Sequence, residues 1–211
     1  MIPLHELFFF ILAALVLVIS PGPNMIYLIS KSITQGKKSG FISLAGVVCG
    51  FLFHIVMVSF GLTAVLLAVP FAYTVLKAVG TAYLLYLAYQ AIKPNSKNIF
   101  DVEQSSSYDS PKKLFTVGFL TNVLNPKVAV FYLSFFPQFI KPEYGSVFTQ
   151  SLELGVVQVF VSFSVNFVIV LTAARVAVFF SHNPIWIKVQ KWFMASILTY
   201  LAVKMAFSKA K

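Results

Sequence analysis

The sequence predicts an all-α integral membrane protein, with six transmembrane helices arranged as a 3+3 inverted repeat. Three observations carry this expectation. Of the 211 residues, 59% are apolar and 10% charged, against about 45–50% and 25% in an ordinary soluble domain. With a mean hydropathy of +0.87, the chain lacks the polar groups needed to cover a globule in water. Its apolar residues gather into six runs of membrane-crossing length, and landmarks in the first three runs recur in order in the last three.

The runs are residues 7–29, 41–69, 71–92, 114–140, 147–180 and 185–207. At about 20 residues per span they use up the chain and leave no room for a separate soluble domain. Glu6, the absence of Lys or Arg ahead of the first run, and that run's length argue for a retained helix rather than a cleaved signal. Pro70 alone separates runs two and three, which predicts a tight helical hairpin. The one sizeable loop, 93–113, holds the polar stretches Asn95-Ser96-Lys97-Asn98 and Ser105-Ser106-Ser107. Cys49 is the sole cysteine, so an intramolecular disulfide and any CxxC redox or metal pair are excluded.

Three landmarks recur between the halves. Pro21 precedes Tyr27-Leu28 by six residues, as Pro126 precedes Tyr132-Leu133. Gly46-Val47-Val48 matches Gly155-Val156-Val157, and Lys77 precedes Tyr86-Leu87-Ala88 by nine residues, as Lys191 precedes Tyr200-Leu201-Ala202. The offsets grow only from 105 to 109 to 114, in chain order. Each half has three runs, so the second copy must enter the membrane inverted, the plan of secondary transporters. The chain then divides into repeat one (1–92), a cytoplasmic loop (93–113) and repeat two (114–211) within one transporter domain.

The 16 basic and 6 acidic residues give a net charge of +10. These charges sit between the apolar runs, where they hold loops on the cytoplasmic side and touch anionic headgroups, so no nucleic-acid partner is expected. Loops after runs one, three and five carry ten Lys and Arg, and the opposite side, including Lys77, Lys141, Lys204, Lys209 and Lys211, carries five. That asymmetry places loop 93–113 in the cytoplasm and both termini outside, although the basic tail pulls the other way.

Two runs are broken by their own residues. Pro21-Gly22-Pro23-Asn24 cannot sit in a continuous helix, because each proline removes a donor and clashes with the preceding turn. Asn125-Pro126-Lys127 is its counterpart in the fourth run, with Asn122 on the same face one turn earlier. Non-helical backbone at membrane depth has to be buried in protein or line a wet cavity, and transporters aim such breaks at a substrate. The candidate substrate-binding residues are therefore Pro21, Gly22, Pro23, Asn24, Asn122, Asn125, Pro126 and Lys127. A packed proline kink is the alternative for the first break. For Lys127 two readings stand open: a role toward substrate, or snorkelling to the headgroups from a helix that begins at Pro126 with Asn125 as its N-cap.

Among other intramembrane polar groups, His54 and Glu153 are the titratable candidates for proton coupling, with packing and an interfacial position as their respective alternatives. Gln158 and Asn166 lie within the fifth run. Gly46 and Gly50 form a GxxxG pair, which marks close helix packing. No Asp or Glu lies at mid-depth, so the candidate site suits a zwitterion better than a cationic substrate.

Pro21-Gly22-Pro23-Asn24, the Asn125-Pro126-Lys127 element and Phe135-Phe136-Pro137-Gln138-Phe139 closing the fourth run together resemble the LysE superfamily, in particular its RhtB branch. The resemblance covers essentially the whole chain. It implies six membrane helices in an inverted repeat in the bacterial cytoplasmic membrane, and efflux of amino acids or derivatives such as homoserine and its lactone, threonine or leucine, coupled to the proton gradient. The implied partners are a small-molecule amino acid and the lipid bilayer, and the sequence leaves a homo-oligomer open. No HExxH, intramembrane aspartate pair or GxSxG with a histidine partner supports an enzyme. Neither a cofactor nor a metal is expected, since His5, His54 and His182 are scattered. A non-transport assembly or chaperone subunit is the competing class.

The orientation is open to a direct check. A cysteine at Ser106 in an otherwise Cys-free variant should react only with membrane-permeant reagents in intact cells. Labelling by an impermeant maleimide would reverse the topology.

Overall fold

The structure, a computed structural model, describes residues 2–19, 22–68, 72–93, 108–182 and 184–207. Pro21, Pro70, most of the 93–113 loop and the tail lysines Lys209 and Lys211 lie outside the described residues. Among the described residues the chain is helical with no strand: α1 (Leu4–Ile19), α2 (Pro23–Thr34), α3 (Gly36–Ala68), α4 (Ala72–Ile92), α5 (Pro111–Val123), α6 (Pro126–Val130), α7 (Val147–His182) and α8 (Pro184–Phe207). The all-α class is borne out. Runs one and four are each divided in two at the residues that predicted a break.

Local chemistry explains the corners. Gly36 takes φ +82°, a left-handed conformation that glycine adopts without a Cβ penalty, and so turns the chain from α2 into α3. Ser110 caps α5, its hydroxyl accepting from the Lys113 amide at 3.3 Å with Pro111 in the first turn.

Polarity is arranged inside out. Along α3, Leu52, Val56 and Phe60 are exposed while Phe51, His54, Ile55, Val58 and Ser59 are buried. Along α7, Val156, Phe160, Phe163 and Phe167 face outward, and Leu154, Gln158, Ser162, Asn166 and Val170 form one buried stripe. Exposed apolar faces around a partly polar interior are what lipid as the solvent requires. Among the described residues, Gly36–Gly61 and Val147–Arg175 are each long and apolar enough to cross a bilayer. α1 with α2, and α5 with Lys127–Phe139, also qualify as pairs bent by 54° and 47°, which makes two spans, or four if each bent pair is one.

The bent pairs lie antiparallel, because opposite ends of each are joined to the other. At one end Lys141 Nζ meets Glu6 Oε1 at 2.5 Å. At the other, Asp109 meets Lys113 Nζ at 2.6 Å and Lys31 Nζ at 2.7 Å. Lys113, Lys31 and Gln35 all donate to the Asp109 carboxylate and hold its carboxyl well below the usual carboxylate range.

Glycines let α3 and α5 touch backbone to backbone. A Cβ on Gly46 would fall on the Phe115 carbonyl, one on Gly118 on the Ser43 carbonyl, and one on Gly50 on the Asn122 side chain. The GxxxG pair therefore packs helices, as its spacing predicted. Gly118→Ala should lower the thermal midpoint in detergent by an overpacking penalty of about 1–3 kcal/mol. Gly61→Ala has open space around it and should be neutral or stabilising by up to about 1 kcal/mol through helix propensity. Equal effects of the two substitutions would show that close α3–α5 contact is not what the glycines serve.

Candidate functional site

The two breaks meet inside the bundle. Gly22 stands before α2 in a fully extended conformation, φ −173° and ψ 178°, with Pro23 in the first turn. Asn125 stands before α6 at φ −74° and ψ 110°, and its Oδ1 accepts from the Lys127 amide at 3.0 Å. Past α6 the helix widens into a π turn at Phe131–Phe135 and then tightens into a 3-10 turn at Phe136–Phe139. Such interruptions of regular helix recur at functional sites.

Lys127 is only 7% exposed. Its Nζ lies 3.3 Å from where a Cβ on Gly22 would be. Of the two sequence readings, the N-cap at Asn125 holds, but the side chain does not run out to the headgroups; it lies across the bare backbone of the other break. Gly22 is needed here for close approach rather than for its dihedral angles.

A cavity of about 20 Å³ opens at this junction, with Gly22, Asn24, Asn125, Lys127 and Asn166 on its wall. Leu17, Val18, Met25, Phe51 and Val128 supply the apolar part. That volume admits about one water molecule and no amino acid. Asn24 Oδ1 is buried without a hydrogen-bond partner, and Asn166 Nδ2 donates to the Ser162 carbonyl at 2.8 Å. Among the described residues, the wall holds one lysine, three carboxamides and no carboxylate.

The structure brings four of the sequence-predicted site residues to this wall: Gly22, Asn24, Asn125 and Lys127. Pro23 is exposed at the head of α2 and does not line it, Pro126 opens α6, and Pro21 lies outside the described residues. Asn122 is fully buried one turn away, under Gly50, with both side-chain polar atoms unpartnered. Its carbonyl is 3.4 Å from His54 Nε2, and the His54 ring stacks on Tyr132 with centroids 5.2 Å apart. Glu153 is half-buried on α7, 13 residues before Asn166 and so about 20 Å from it along the helix axis. Asn166 is the site residue that sequence reasoning passed over. Its signal was an asparagine inside an apolar run, with nothing in the sequence to aim that side chain at the breaks. Among the described residues, no three His, Cys, Asp or Glu side chains are grouped to hold a metal.

The chain is 32% identical over 170 residues, 81% of each chain, to a homoserine/homoserine lactone efflux protein of Salmonella typhimurium. It is 31% identical over 144 residues to the membrane protein YrhP of Bacillus subtilis, covering 65% of this chain and 69% of that one. It is 29% identical over 190 residues, 90% of this chain and 91% of the other, to a membrane protein of Vibrio cholerae. No solved structure matches. The family model described as LysE type translocator matches residues 15–209, from the second half of α1 through α8 and across both breaks. The chain thus belongs to the LysE type translocator family and is a multi-pass bacterial membrane protein that transports rather than catalyses.

Proposed function

We propose that the chain exports small neutral amino acids or close derivatives by secondary-active transport, with the junction of its two breaks as the substrate site. The observation that carries this is the buried Lys127 beside Gly22, set among Asn24, Asn125 and Asn166 with no carboxylate on the wall among the described residues. A lysine in that position supplies charge and donors for a substrate carboxylate, and the amide-rich start of α2 adds to them. Asn24 Oδ1, a buried acceptor without a partner, suits the substrate ammonium group. A side-chain cation on the substrate would find no counter-charge and would be repelled by Lys127 where screening is weak. The Salmonella relative is named for homoserine and its lactone. Both molecules carry an amino group on the carbon next to a carbonyl carbon, so the wall would offer Asn24 Oδ1 to the amino group and Lys127 to the carboxylate or ester oxygen.

The architecture proposed with this function is six transmembrane helices in a 3+3 inverted repeat, with repeat one at 1–92, a cytoplasmic loop at 93–113 and repeat two at 114–211. Supporting it, α3 packs against α7, α4 packs against α8, and the two bent pairs run antiparallel and meet at equivalent breaks. The energy source proposed is the proton gradient, because the chain carries no P-loop. His54, one turn along α3 from the cavity residue Phe51, is the nearer titratable candidate, and Glu153 is the more distant one.

Counterflow in proteoliposomes tests the substrate class. Threonine, leucine and homoserine should exchange, and lysine and arginine should not. Preferential transport of the cationic pair would overturn the selectivity, and indifference to an imposed pH gradient would remove proton coupling.

Lys127→Ala should lower transport efficiency about 10- to 100-fold, the worth of a hydrogen bond to a charged group, while Lys127→Arg retains more activity. Gly22→Ala should reduce transport without loss of folded protein, since its methyl would displace the ammonium by a few tenths of an ångström. Full activity in Lys127→Ala would sink the proposed role of the ammonium.

A further inference from the structure

The two ends at which the bent pairs are joined are built alike. At one end the buried Gln35, just past α2, clasps Asp109: the Asp109 amide donates to Gln35 Oε1 at 3.0 Å, and Gln35 Nε2 donates to Asp109 Oδ2 at 3.0 Å. Lys31 then reaches the same carboxylate at 2.7 Å. At the other end the buried Gln150 of α7 clasps Lys141: the Lys141 amide donates to Gln150 Oε1 at 3.1 Å, and Gln150 Nε2 donates to the Lys141 carbonyl at 2.9 Å. Lys141 Nζ then reaches Glu6 in the first turn of α1 at 2.5 Å. In each case a glutamine accepts from the backbone amide of one member of an ion pair and donates back to the same residue, and the pair ties α1–α2 to α5–α6.

We propose that these two ties are the gates of the transport cycle, opening in alternation to expose the junction cavity first to one side of the membrane and then to the other. Three observations carry this. The cavity lies between the ties and holds about 20 Å³, so α1–α2 and α5–α6 have to separate at one end before an amino acid fits. Both ties cross that boundary; a pair meant only to stiffen one half would not need to. The chain has six acidic residues in all, and two of them, Glu6 and Asp109, stand at these contacts.

The exposure of the side chains fits the role. Lys141 is 26% exposed, Lys31 and Glu6 19% each, and Asp109 9%. The Glu6–Lys141 pair, this close to water, is cheap to break and remake, and Asp109, shielded and held by Lys31, Lys113 and Gln35, makes the firmer tie. Glu6 and Asp109 are accordingly positioning residues: they set which side the site faces and do not touch the substrate. The assignment rests on the junction being the transport site, but not on which molecule is carried.

The test is the sidedness of a cavity cysteine. Met25→Cys, in a background with Cys49→Ser, would be alkylated with an impermeant maleimide in right-side-out and in inside-out vesicles. Asp109→Asn should raise the labelling rate about fivefold or more from its own face and leave it unchanged or lower from the opposite face, and Glu6→Gln should do the reverse. Swapping the pair as Glu6→Lys with Lys141→Glu should return labelling toward the parent rate. Equal changes on both faces, or no change, would overturn the proposal.

A second variant covers poor folding of the asparagine form. Lys31→Cys with Asp109→Cys, bridged by a bis-methanethiosulfonate, should lose counterflow and regain it on reduction, while Met25→Cys stays reactive from the Glu6 face. Transport at the unbridged rate would equally sink the gates. Labelling needs no substrate, so a chain that switches sides in the labelling assay but fails to exchange amino acids would refute the substrate class and leave the gates standing.

Discussion

The backbone cannot stay helical through Pro21-Gly22-Pro23 or through Asn125-Pro126, and at membrane depth a freed amide or carbonyl has to find a partner other than lipid. Much of the fold follows from burying these two breaks against one another. Asn125 satisfies the Lys127 amide with its own side chain, and the absence of a Cβ on Gly22 gives the Lys127 side chain its place. For the breaks to meet, the two bent pairs have to lie side by side. α3 and α7 then shield the junction, Phe51 from one and Asn166 from the other reaching the cavity wall.

Packing in such a bundle gains little from the hydrophobic effect, because lipid tails are as apolar as the side chains they replace. Close backbone approach takes over that role. Gly46, Gly50 and Gly118 let α3 and α5 come together until only glycine fits between them. The same crossing buries Asn122 and brings its carbonyl to His54. Asn122 and the Tyr132 hydroxyl are fully buried without side-chain hydrogen bonds, and unsatisfied groups in a low-dielectric interior are costly. They are held by a tightly packed aromatic column, in which Phe10 touches Phe131, Phe136 and Phe139, and Tyr132 lies between His54 and Phe136. Interiors that keep such groups are commonly functional ones.

Features of the fold that depend on local chemistry were legible in the residues. Prolines at 23 and 126 announced where helices restart, Asn125 announced a cap, and Gly46 and Gly50 announced a close crossing; each is a statement about a few neighbouring residues. The partners across the bundle were less legible. Nothing in the apolar run around Asn166 says that it faces Gly22 rather than lipid, and nothing near Asp109 says that Lys31, 78 residues away, completes its ion pair. Lys127 shows the boundary between the two kinds of inference: its own sequence allowed burial or snorkelling, and the choice is made by Gly22, more than 100 residues earlier.

The distribution of polar groups matches what a carrier has to do. The groups that are expensive to desolvate, Lys127 and the carboxamides of Asn122, Asn125 and Asn166, are buried inside the bundle. The ion pairs Glu6–Lys141 and Lys31–Asp109 are at the ends, nearer to solvent. The wall is shared between the two bent pairs, so the ties that join those pairs at either end would decide which side it faces. The chain thereby separates recognition from access: the residues that would meet the substrate line the junction, and those that would admit it stand at its two ends.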